Sequence, residues 1–386
     1  MPRKNDMDRE KYRTIAPLDG EDAINATEYI KNKTFFANNL LKTLYKKAKL
    51  ETWDSFDALM NDYYYSLGKV KSWKDFQTNI IHKIVMPLII KGSTDGIIVE
   101  GLENVDLSKP HVFVSNHRDI VLDSAFIVNT ILDNKGLPLQ ATSGANLYLD
   151  KEAGLYFGLS GCIKVFRGLS LREEYEASML LSSYIWDSIS ENYSSIWIAG
   201  QAGRSKDGID RVLPAIVKML ILKERRNASL SDLVNKLSIV PVSISYEQDP
   251  NDVDKAREML STMLQGGEYK KRPLEDLLSL TRGVRNYKRR VALSFSKPLS
   301  GEFESVEDVA SEIEKSIRLS YKLFPISYYA YDKVHKSDTY KNMYDKELLE
   351  EGELKRFKAL KKTLRTKVLE AYAAPLESKL AYEENK

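Results

Sequence analysis

The chain has 386 residues, enough for one large α/β domain with helical additions or for two modest domains. Its 58 lysines and arginines against 55 acidic residues leave a net charge of +3, so we expect no nucleic-acid partner. The single cysteine excludes an internal disulfide framework and indicates a reducing compartment. With four histidines and that one cysteine, no zinc-ligand spacing can be assembled, and we expect no metal.

The first residues lack the apolar segment of a signal peptide, and no window approaches the roughly 18 consecutive apolar residues of a membrane-spanning helix. We therefore expect a protein that does not span a membrane. The patterns predict three regions: a helical N-terminal region over 1–90, an α/β domain over 91–300 and a helical C-terminal region over 301–386.

The N-terminal region contains a predicted basic amphipathic helix. From Phe36 to Ala48, apolar residues recur at helical spacing while lysines occupy the other faces. Such a helix either docks on anionic lipid headgroups or packs against its own core with solvated lysines, and the sequence leaves both open. The aromatic residues between Trp53 and Tyr65 are typical of core packing.

A short apolar run over 111–114 ends abruptly at a polar cluster that begins with Ser115 and Asn116. The pattern predicts a buried strand over 111–114 and a helix over 120–132, with the polar cluster between them. α/β proteins place ligand sites at such junctions because the helix N-terminus offers free amides and the strand's carboxyl end opens into a crevice.

His117 is the candidate base of this junction. Imidazole titrates near neutrality, and a carboxylate hydrogen-bonded to its second nitrogen fixes the tautomer and stabilises the charged form. Asp123 lies six positions after His117 and Asp119 lies two after it. We favour Asp123 as the orienting carboxylate, because an extra residue fits in the turn before the helix, and Asp119 is the alternative. A histidine that caps a helix or lies in a polar core would also fit the pattern.

A second stretch, residues 158–168, predicts a glycine-containing turn and a strand that carries Lys164 and ends near Arg167. Taken alone, this pair of cations also fits ordinary exposed charge at a strand edge.

The third stretch follows a predicted strand over Ser195–Ala199. It is glycine-rich and carries Gly203, Arg204, Ser205 and Lys206. A turn of this kind can bind a phosphate through backbone amides and cations. It is not a P-loop, because the Gly-x4-Gly-Lys-Ser/Thr spacing is missing.

Three later features complete the pattern. An apolar strand over 237–246 is interrupted by Pro241, which is uncommon in an interior strand. Residues 282–290 concentrate five cations before a strand at Val291–Phe295, and an anionic membrane surface or a solvated loop would explain them. A capping box at Ser305 predicts a helix, and the chain beyond Pro325 is predicted to be mostly helical.

These stretches occur in the order of the motifs of glycerolipid acyltransferases related to lysophosphatidate and glycerol-3-phosphate acyltransferase, which the chain resembles over roughly residues 13–246. The family's Asn-His, four-residue spacer and Asp is similar to Asn-His-Arg-Asp-x3-Asp here, one residue longer. Its third motif, Pro-Glu-Gly-Thr/Ser-Arg, and a bacterial variant reading Glu-Gly-Arg-Ala-Lys-Asp-Gly, resemble residues 200–208, but Ala202 replaces the glutamate. The strand with Pro241 resembles the fourth motif, which lines the acyl pocket.

The resemblance implies a fold and a reaction. The fold would be α/β, a central mostly parallel sheet flanked by helices, with helical N- and C-terminal additions. The reaction would transfer a fatty acyl group from acyl-CoA or acyl-carrier protein to a hydroxyl of lysophosphatidate or glycerol 3-phosphate, with no further cofactor. His117 would be the general base and Asp123 its orienter. The implied substrate and phosphate contacts are Asn116, Arg118, Lys164, Arg167, Gly203, Arg204, Ser205 and Lys206.

The implied partners are the thioester donor, the phosphorylated glycerolipid acceptor and an anionic membrane surface. We expect a cytoplasmic protein that associates peripherally with the inner face of the cell membrane. Because Ala202 stands where the family has an acid that helps hold the acceptor's hydroxyls, two alternatives stay open. One is an acyltransferase for a different lipid acceptor, and the other is a catalytically silent lipid-binding homologue.

Overall fold

The computed structural model describes residues 9–383, except for 34, 192–193, 268, 270 and 273–274. In this part of the chain, seven strands form one sheet in the order β1-β7-β6-β2-β5-β3-β4. Neighbouring strands of the sheet run parallel, except for the antiparallel pair β6 and β7. The strands are β1 (Ile97–Glu100), β2 (Val112–Ser115), β3 (Leu139–Gly144), β4 (Cys162–Val165), β5 (Ser195–Ala199), β6 (Ile239–Tyr246) and β7 (Val291–Phe295).

Helices precede, separate and follow these strands. The α-helices are α1 (Arg9–Tyr12), α2 (Glu21–Lys31), α3 (Phe35–Ala48), α4 (Phe56–Leu67), α5 (Trp73–Phe76), α6 (Met86–Ser93), α7 (Leu122–Asp133), α8 (Lys151–Leu159), α9 (Leu171–Ser190), α10 (Pro214–Ile221), α11 (Leu230–Leu237), α12 (Asp252–Leu264), α13 (Glu275–Arg285), α14 (Val306–Ser320), α15 (Pro325–His335), α16 (Lys346–Glu351) and α17 (Lys362–Glu383). A π-helix spans Gln77–Val85, and short 3₁₀ turns span Leu102–Asn104, Ala145–Tyr148, Lys341–Met343 and Glu353–Phe357.

The central strands β2, β5 and β6 are buried along almost their whole length because helices cover both faces of the sheet. Side chains alternate along each strand, so Phe113 and Trp197 pack with the N-terminal helices and α7 on one face. Val112, Ile196 and their neighbours pack with α9, α10, α11 and α14 on the other. The predicted class, a mostly parallel sheet flanked by helices with helical additions at both ends, is confirmed.

The helical ends of the chain share cores with the sheet. Buried residues of α2 to α4 belong to the same apolar cluster as Phe113, and α15 and α17 pack in a cluster that includes Ala292 of β7. The division into regions 1–90, 91–300 and 301–386 stays a prediction. At Ser305 the predicted capping box is present, with the side chain accepting from the amide of Asp308 at the start of α14.

Pro241 lies in an interior strand, between β2 and β7. The pairing of β6 with β7 reaches only as far as Val242 opposite Phe295, and the carbonyl of Pro241 accepts from the amide of Ser296 just beyond that pair. The missing N–H of the proline is on the same side of the strand as that carbonyl, so the proline removes at most one hydrogen bond, at the end of the ladder rather than within it.

The two predicted cationic segments, helix α3 and residues 282–290, differ in how far their basic side chains are exposed to solvent. On α3, Leu41 and Leu44 are buried while Lys42 and Lys46 are exposed. In the cluster at 282–290, by contrast, Lys288 is fully buried. Lys288 therefore contacts no anionic surface, and for the rest of the cluster the choice between such a surface and a solvated loop stays a prediction.

The other cations of that cluster are largely engaged within the chain. Arg282 pairs with Asp254 at 2.6 Å, and Arg290 pairs with Glu247 at 2.7 Å. No helix in the described ranges is both long enough and apolar enough to cross a membrane.

Candidate active site

The strand-to-helix junction brings His117 and Asp123 together. His117 follows the carboxyl end of β2, and Asp123 lies in the first turn of α7. The Nδ1 atom of His117 is 2.8 Å from Oδ2 of Asp123, whose side chain is completely buried, whereas the imidazole keeps 14% exposure. A buried carboxylate on Nδ1 of a partly open imidazole leaves Nε2 as the ring nitrogen without a hydrogen-bond partner among the described residues.

Asp123 is held by donors on both of its oxygens. Oδ2 also accepts from the backbone amides of Arg118 at 2.6 Å and Asp119 at 2.9 Å. Oδ1 accepts from the hydroxyl of Tyr246 at 2.8 Å. Burial, followed by the charge of Asp123, raises the pKa of Tyr246 well above its usual value, so this hydroxyl stays protonated and donates. The carboxylate is thereby fixed in position.

Asp119, the alternative orienter, faces away from the imidazole. Its Oδ1 accepts from the amides of Val121 and Leu122 at 3.1 and 3.0 Å, and Oδ2 accepts from Asn251. Burial, followed by the charge of Asp123, raises the pKa of Asp119. Asp119 therefore satisfies the free amides at the start of α7 and does not orient His117.

The same contacts correct the predicted helix boundary. The helix begins at Leu122 rather than at residue 120, because the side chain of Asp119 forms the turn before it. This turn absorbs the extra residue of the spacing between His117 and Asp123.

The imidazole also rests against the sheet. The ring of His117 meets the ring of Trp197 edge-on at a centroid distance of 5.8 Å. The indole N–H of Trp197 donates to the hydroxyl of Ser115 at 2.9 Å, which ties β5 to β2 beneath the imidazole.

A polar cleft of about 390 Å³ opens beside His117. It lies at the carboxyl ends of β2, β3, β4 and β5, which meet at one edge of the sheet because these strands are mutually parallel. The structure brings to this cleft the predicted residues Lys164, Arg167, Gly203, Arg204 and Lys206.

The cations of the cleft differ in how strongly the protein engages them. Arg204 donates to the hydroxyl of Ser279 at 2.9 Å, and Lys206 pairs with Glu258. The ammonium of Lys164 lies 4.5 Å from the ring centroid of Tyr148. Arg167 is exposed and has no acceptor among the described side chains. Its guanidinium is the cation most available to an anionic ligand.

Two other predicted substrate contacts are buried away from the cleft. The amide of Asn116 donates to the carbonyl of Ile244 at 2.9 Å and accepts from its N–H at 2.8 Å, joining β2 to β6. Arg118 is buried and pairs with Asp210 at 2.7 Å. The predicted substrate contacts of Asn116 and Arg118 are contradicted by this burial, because their donors serve the protein interior.

Ser205 also turns inward. Its hydroxyl donates to the carbonyl of Ile209 at 3.0 Å, and its backbone N–H donates to the carbonyl of His117 at 2.7 Å. The prediction that its side chain contacts the substrate is wrong, and Ser205 instead ties the glycine-rich turn to the base. At the end of this turn, a Cβ on Gly208 would lie 2.0 Å from the carbonyl oxygen of Ala371, so only glycine lets α17 approach.

A second cavity, of about 230 Å³, is almost wholly apolar. The π-helix contributes Ile80 and Ile81, and α3, α6, α7, α8 and α13 supply most of the remaining wall. π-helical segments are often found at functional sites. The strand residues around Pro241, which were expected to line an acyl pocket, do not line this cavity because they lie in the middle of the sheet.

The two cavities adjoin next to the dyad formed by His117 and Asp123. Ile120, Thr142 and Ser143 line both the apolar cavity and the polar cleft that contains His117. Cys162 lies on the apolar wall, and burial raises the pKa of its thiol to about 12, so it is no nucleophile at neutral pH. The site therefore offers one base, one cation-rich space and one apolar space around a common point.

Comparisons with known proteins add a distant likeness. No family model matches the sequence, and no curated protein matches it. The solved structures similar to it include the crystal structure of the 1-acyl-sn-glycerophosphate (LPA) acyltransferase PlsC from Thermotoga maritima. The two chains are 14% identical with a TM-score of 0.38, and the match covers 72% of this chain and 92% of that chain. A likeness of this degree does not decide a function, which has to be argued from the site residues.

The sequence patterns did not single out two polar residues of the site. Tyr246 ends β6 and supports Asp123; a tyrosine at the carboxyl end of an apolar strand is the signal that would have found it. Asp276 of α13 lines the cleft, where it accepts from Asn146 at 3.0 Å. No local signal marks Asp276, because α13 reaches the cleft only through the tertiary fold. Among the described residues, no group of three or more His, Cys, Asp or Glu could hold a metal ion.

Proposed function

We propose that this protein is an acyltransferase that moves a fatty acyl group from a thioester to a hydroxyl of a phosphorylated glycerolipid, either lysophosphatidate or glycerol 3-phosphate. One observation carries the proposal. The dyad of His117 and Asp123 lies where a cation-rich cleft and an apolar cavity share a wall. The two substrates match these spaces. The phosphate of the acceptor suits the cation-rich cleft, the alkyl chain of the donor suits the apolar cavity, and the reacting atoms lie between them.

The base acts through Nε2. Because Oδ2 of Asp123 accepts from Nδ1 of His117, the neutral imidazole carries its proton on Nδ1 and presents a lone pair on Nε2. Nε2 takes the proton of the acceptor hydroxyl as the oxygen attacks the thioester carbonyl. The carbon–sulfur bond then breaks, and the leaving thiolate takes that proton from the imidazolium. The charge of Asp123 stabilises the imidazolium between these two steps.

The acceptor's phosphate is assigned to the cleft. Arg167 and Arg204 lie on its walls beside Lys164 and Lys206, and guanidinium groups bind phosphate oxygens through paired, charge-assisted hydrogen bonds. Ala202 lines the same cleft and is exposed there. We expect Ala202→Glu to increase turnover on lysophosphatidate or glycerol 3-phosphate if either one is the acceptor.

The acyl chain is assigned to the apolar cavity. Burying one methylene contributes about 0.8 kcal/mol, so a chain seated in this cavity supplies binding energy remote from the reacting carbonyl. The thioester carbon would then lie near Ile120 and Ser143, which line both cavities.

A peripheral position at the inner face of the cell membrane, in the cytoplasm, is part of the proposal, because the acylated product partitions into lipid, as does the acceptor if it is lysophosphatidate. The exposed lysines Lys42 and Lys46 of α3 are the cations assigned to anionic headgroups.

The deciding experiment measures release of free thiol from an acyl thioester, with and without each candidate acceptor. We expect thiol release that depends on the acceptor and that falls by roughly 10²- to 10⁴-fold in His117→Ala, the range typical of a lost general base. If thiol release requires a different lysolipid, that lysolipid is the acceptor in place of lysophosphatidate or glycerol 3-phosphate. Release that is absent with every acceptor would leave the lipid-binding homologue, and near-wild-type release in His117→Ala would refute the mechanism.

A further inference from the structure

A third cavity, of about 610 Å³, has Arg204 among its lining residues. It is formed by α12, α13 and the start of α17, and we call it the α12–α13–α17 cavity. Arg204 lines both this cavity and the polar cleft of His117, so the two spaces share a wall. Its volume lies within the roughly 300–1,000 Å³ of ordinary small-molecule sites.

The charge of this cavity is positive. Its described lining side chains include twice as many cations as carboxylates. One carboxylate, Asp254, serves two guanidinium groups: it pairs with Arg257 at 3.0 Å and with Arg282 at 2.6 Å. Lys361 lines the cavity and has no ion-pair partner among the described residues. Positive charge is therefore left over for an anionic ligand.

Apolar side chains lie among these cations. Leu264 of α12 is 87% exposed and Leu278 of α13 is 54% exposed, and both line the cavity. Exposed leucines beside guanidinium groups fit a ligand that carries phosphates on a flat, weakly polar body, as a phosphorylated nucleoside does. A concave space of this size fits such a molecule better than a bilayer or a folded carrier protein, which need an extended contact surface.

Helix α13 connects the three spaces. Leu280 faces the apolar cavity, Asp276 lines the polar cleft, and Leu278 and Arg282 line the α12–α13–α17 cavity. A thioester donor with a nucleotide at its far end carries an alkyl chain, a reacting carbonyl and, at the other end of a pantetheine arm, a phosphorylated nucleoside. The chain, the carbonyl and the nucleoside match these three spaces in order.

We infer that the α12–α13–α17 cavity binds the phosphorylated nucleoside of the acyl donor, so that the donor is a coenzyme A thioester rather than an acyl-carrier protein. This assignment of the donor rests on the proposed acyl transfer. The binding of a phosphorylated nucleoside does not, and it can be measured without any acyl group.

The probe is adenosine 3′,5′-bisphosphate, titrated calorimetrically into the full-length chain. We compare two double variants. The cavity pair is Arg257→Ala/Lys361→Ala, and the control pair is Lys362→Ala/Arg365→Ala, which removes the same charge from exposed positions outside the cavity lining. We expect saturable binding that weakens by about ten-fold or more in the cavity pair, since each lost charge-assisted contact is worth roughly a factor of ten. The control pair should stay within about two-fold of the wild type, a margin well below one such contact.

Three further titrations separate the sources of phosphate. Glycerol 3-phosphate binding should not respond to the cavity pair, because its site is the cleft. Inorganic pyrophosphate that binds as tightly as the nucleotide would overturn the nucleoside part of the assignment. Anionic vesicles whose binding depends on Arg257 and Lys361, with no nucleotide binding, would show a lipid surface instead and overturn the site. Equal weakening in the cavity and control pairs would overturn it as well.

The donor assignment has its own readout. The cavity pair should raise the apparent KM for an acyl-CoA donor, and an unchanged KM would overturn the assignment. If the nucleotide binds in the cavity as expected but no acceptor supports thiol release, the binding site stands and the proposed function fails. The two failures are thereby distinguishable.

Discussion

Replacing Asp123 by asparagine isolates the charge behind the imidazole of His117, the proposed general base. The substitution keeps the volume of the side chain. The amide oxygen can still accept from the backbone N–H groups of Arg118 and Asp119, and the amide NH₂ can donate to the hydroxyl of Tyr246, which rotates to accept. What is lost is the negative charge 2.8 Å from Nδ1 of His117.

The size of the effect follows from that contact. A hydrogen bond to a charged group contributes about 1.5–3 kcal/mol, against about 0.5–1.5 kcal/mol for a neutral pair. The difference, about 1–2 kcal/mol, is felt when the imidazole becomes an imidazolium in the transition state. We therefore expect kcat/KM to fall at least roughly 5- to 30-fold in Asp123→Asn, and further if the imidazole changes its tautomer.

Asp119→Asn is the matched control. Asp119 lies in the same turn, is equally buried and has a raised pKa, but it contacts the helix amides rather than the imidazole. Its loss of charge should leave kcat/KM within about three-fold of the wild type, well under the loss expected from a charged hydrogen bond. The assay is thiol release at saturating acceptor with varied donor, alongside thermal unfolding of both variants. An equal fall in the two variants, or an unchanged Asp123→Asn, would refute the assignment of Asp123.

Three other perturbations test the rest of the site. Arg204→Ala should raise the apparent KM for a phosphorylated acceptor by roughly ten-fold or more, as expected for one lost charge-assisted contact, and an unchanged KM would exclude it from the phosphate site. Ala125→Leu adds a larger side chain to the wall of the apolar cavity, so long-chain donors should lose about four-fold in kcat/KM for each methylene displaced; equal losses for short and long chains would contradict the assignment. Binding to anionic vesicles should weaken as salt rises and in Lys42→Ala/Lys46→Ala, and salt-insensitive binding would contradict a headgroup contact.

Much of the fold could be predicted because its signals are local. The apolar strand before the polar cluster, the strand before the glycine-rich turn and the capping box at Ser305 depend on neighbouring residues, and the structure shows each of them. The convergence of Arg167 and Arg204 on the cleft of His117 was also predictable, because the carboxyl ends of parallel strands meet at one edge.

Local sequence could not decide which of Asp119 and Asp123 pairs with His117. Both carboxylates lie near His117 in the sequence, and the pairing depends on which of them satisfies the free amides of α7. Asn116 and Arg118 face inward for a similar reason, since their partners Ile244 and Asp210 come from segments about a hundred residues away. Spacing along the chain carries no information about such partners.

The sequence by itself determined the strand-to-helix junction, the base at that junction and the cations that follow the neighbouring strands, because periodicity and turn chemistry act over a few residues. Only the tertiary structure decided that the N-terminal helices form the apolar cavity and that α13 lies across all three spaces. A cavity is bounded by side chains from distant segments, so its place and lining follow from how whole helices pack, and no segment carries that information alone.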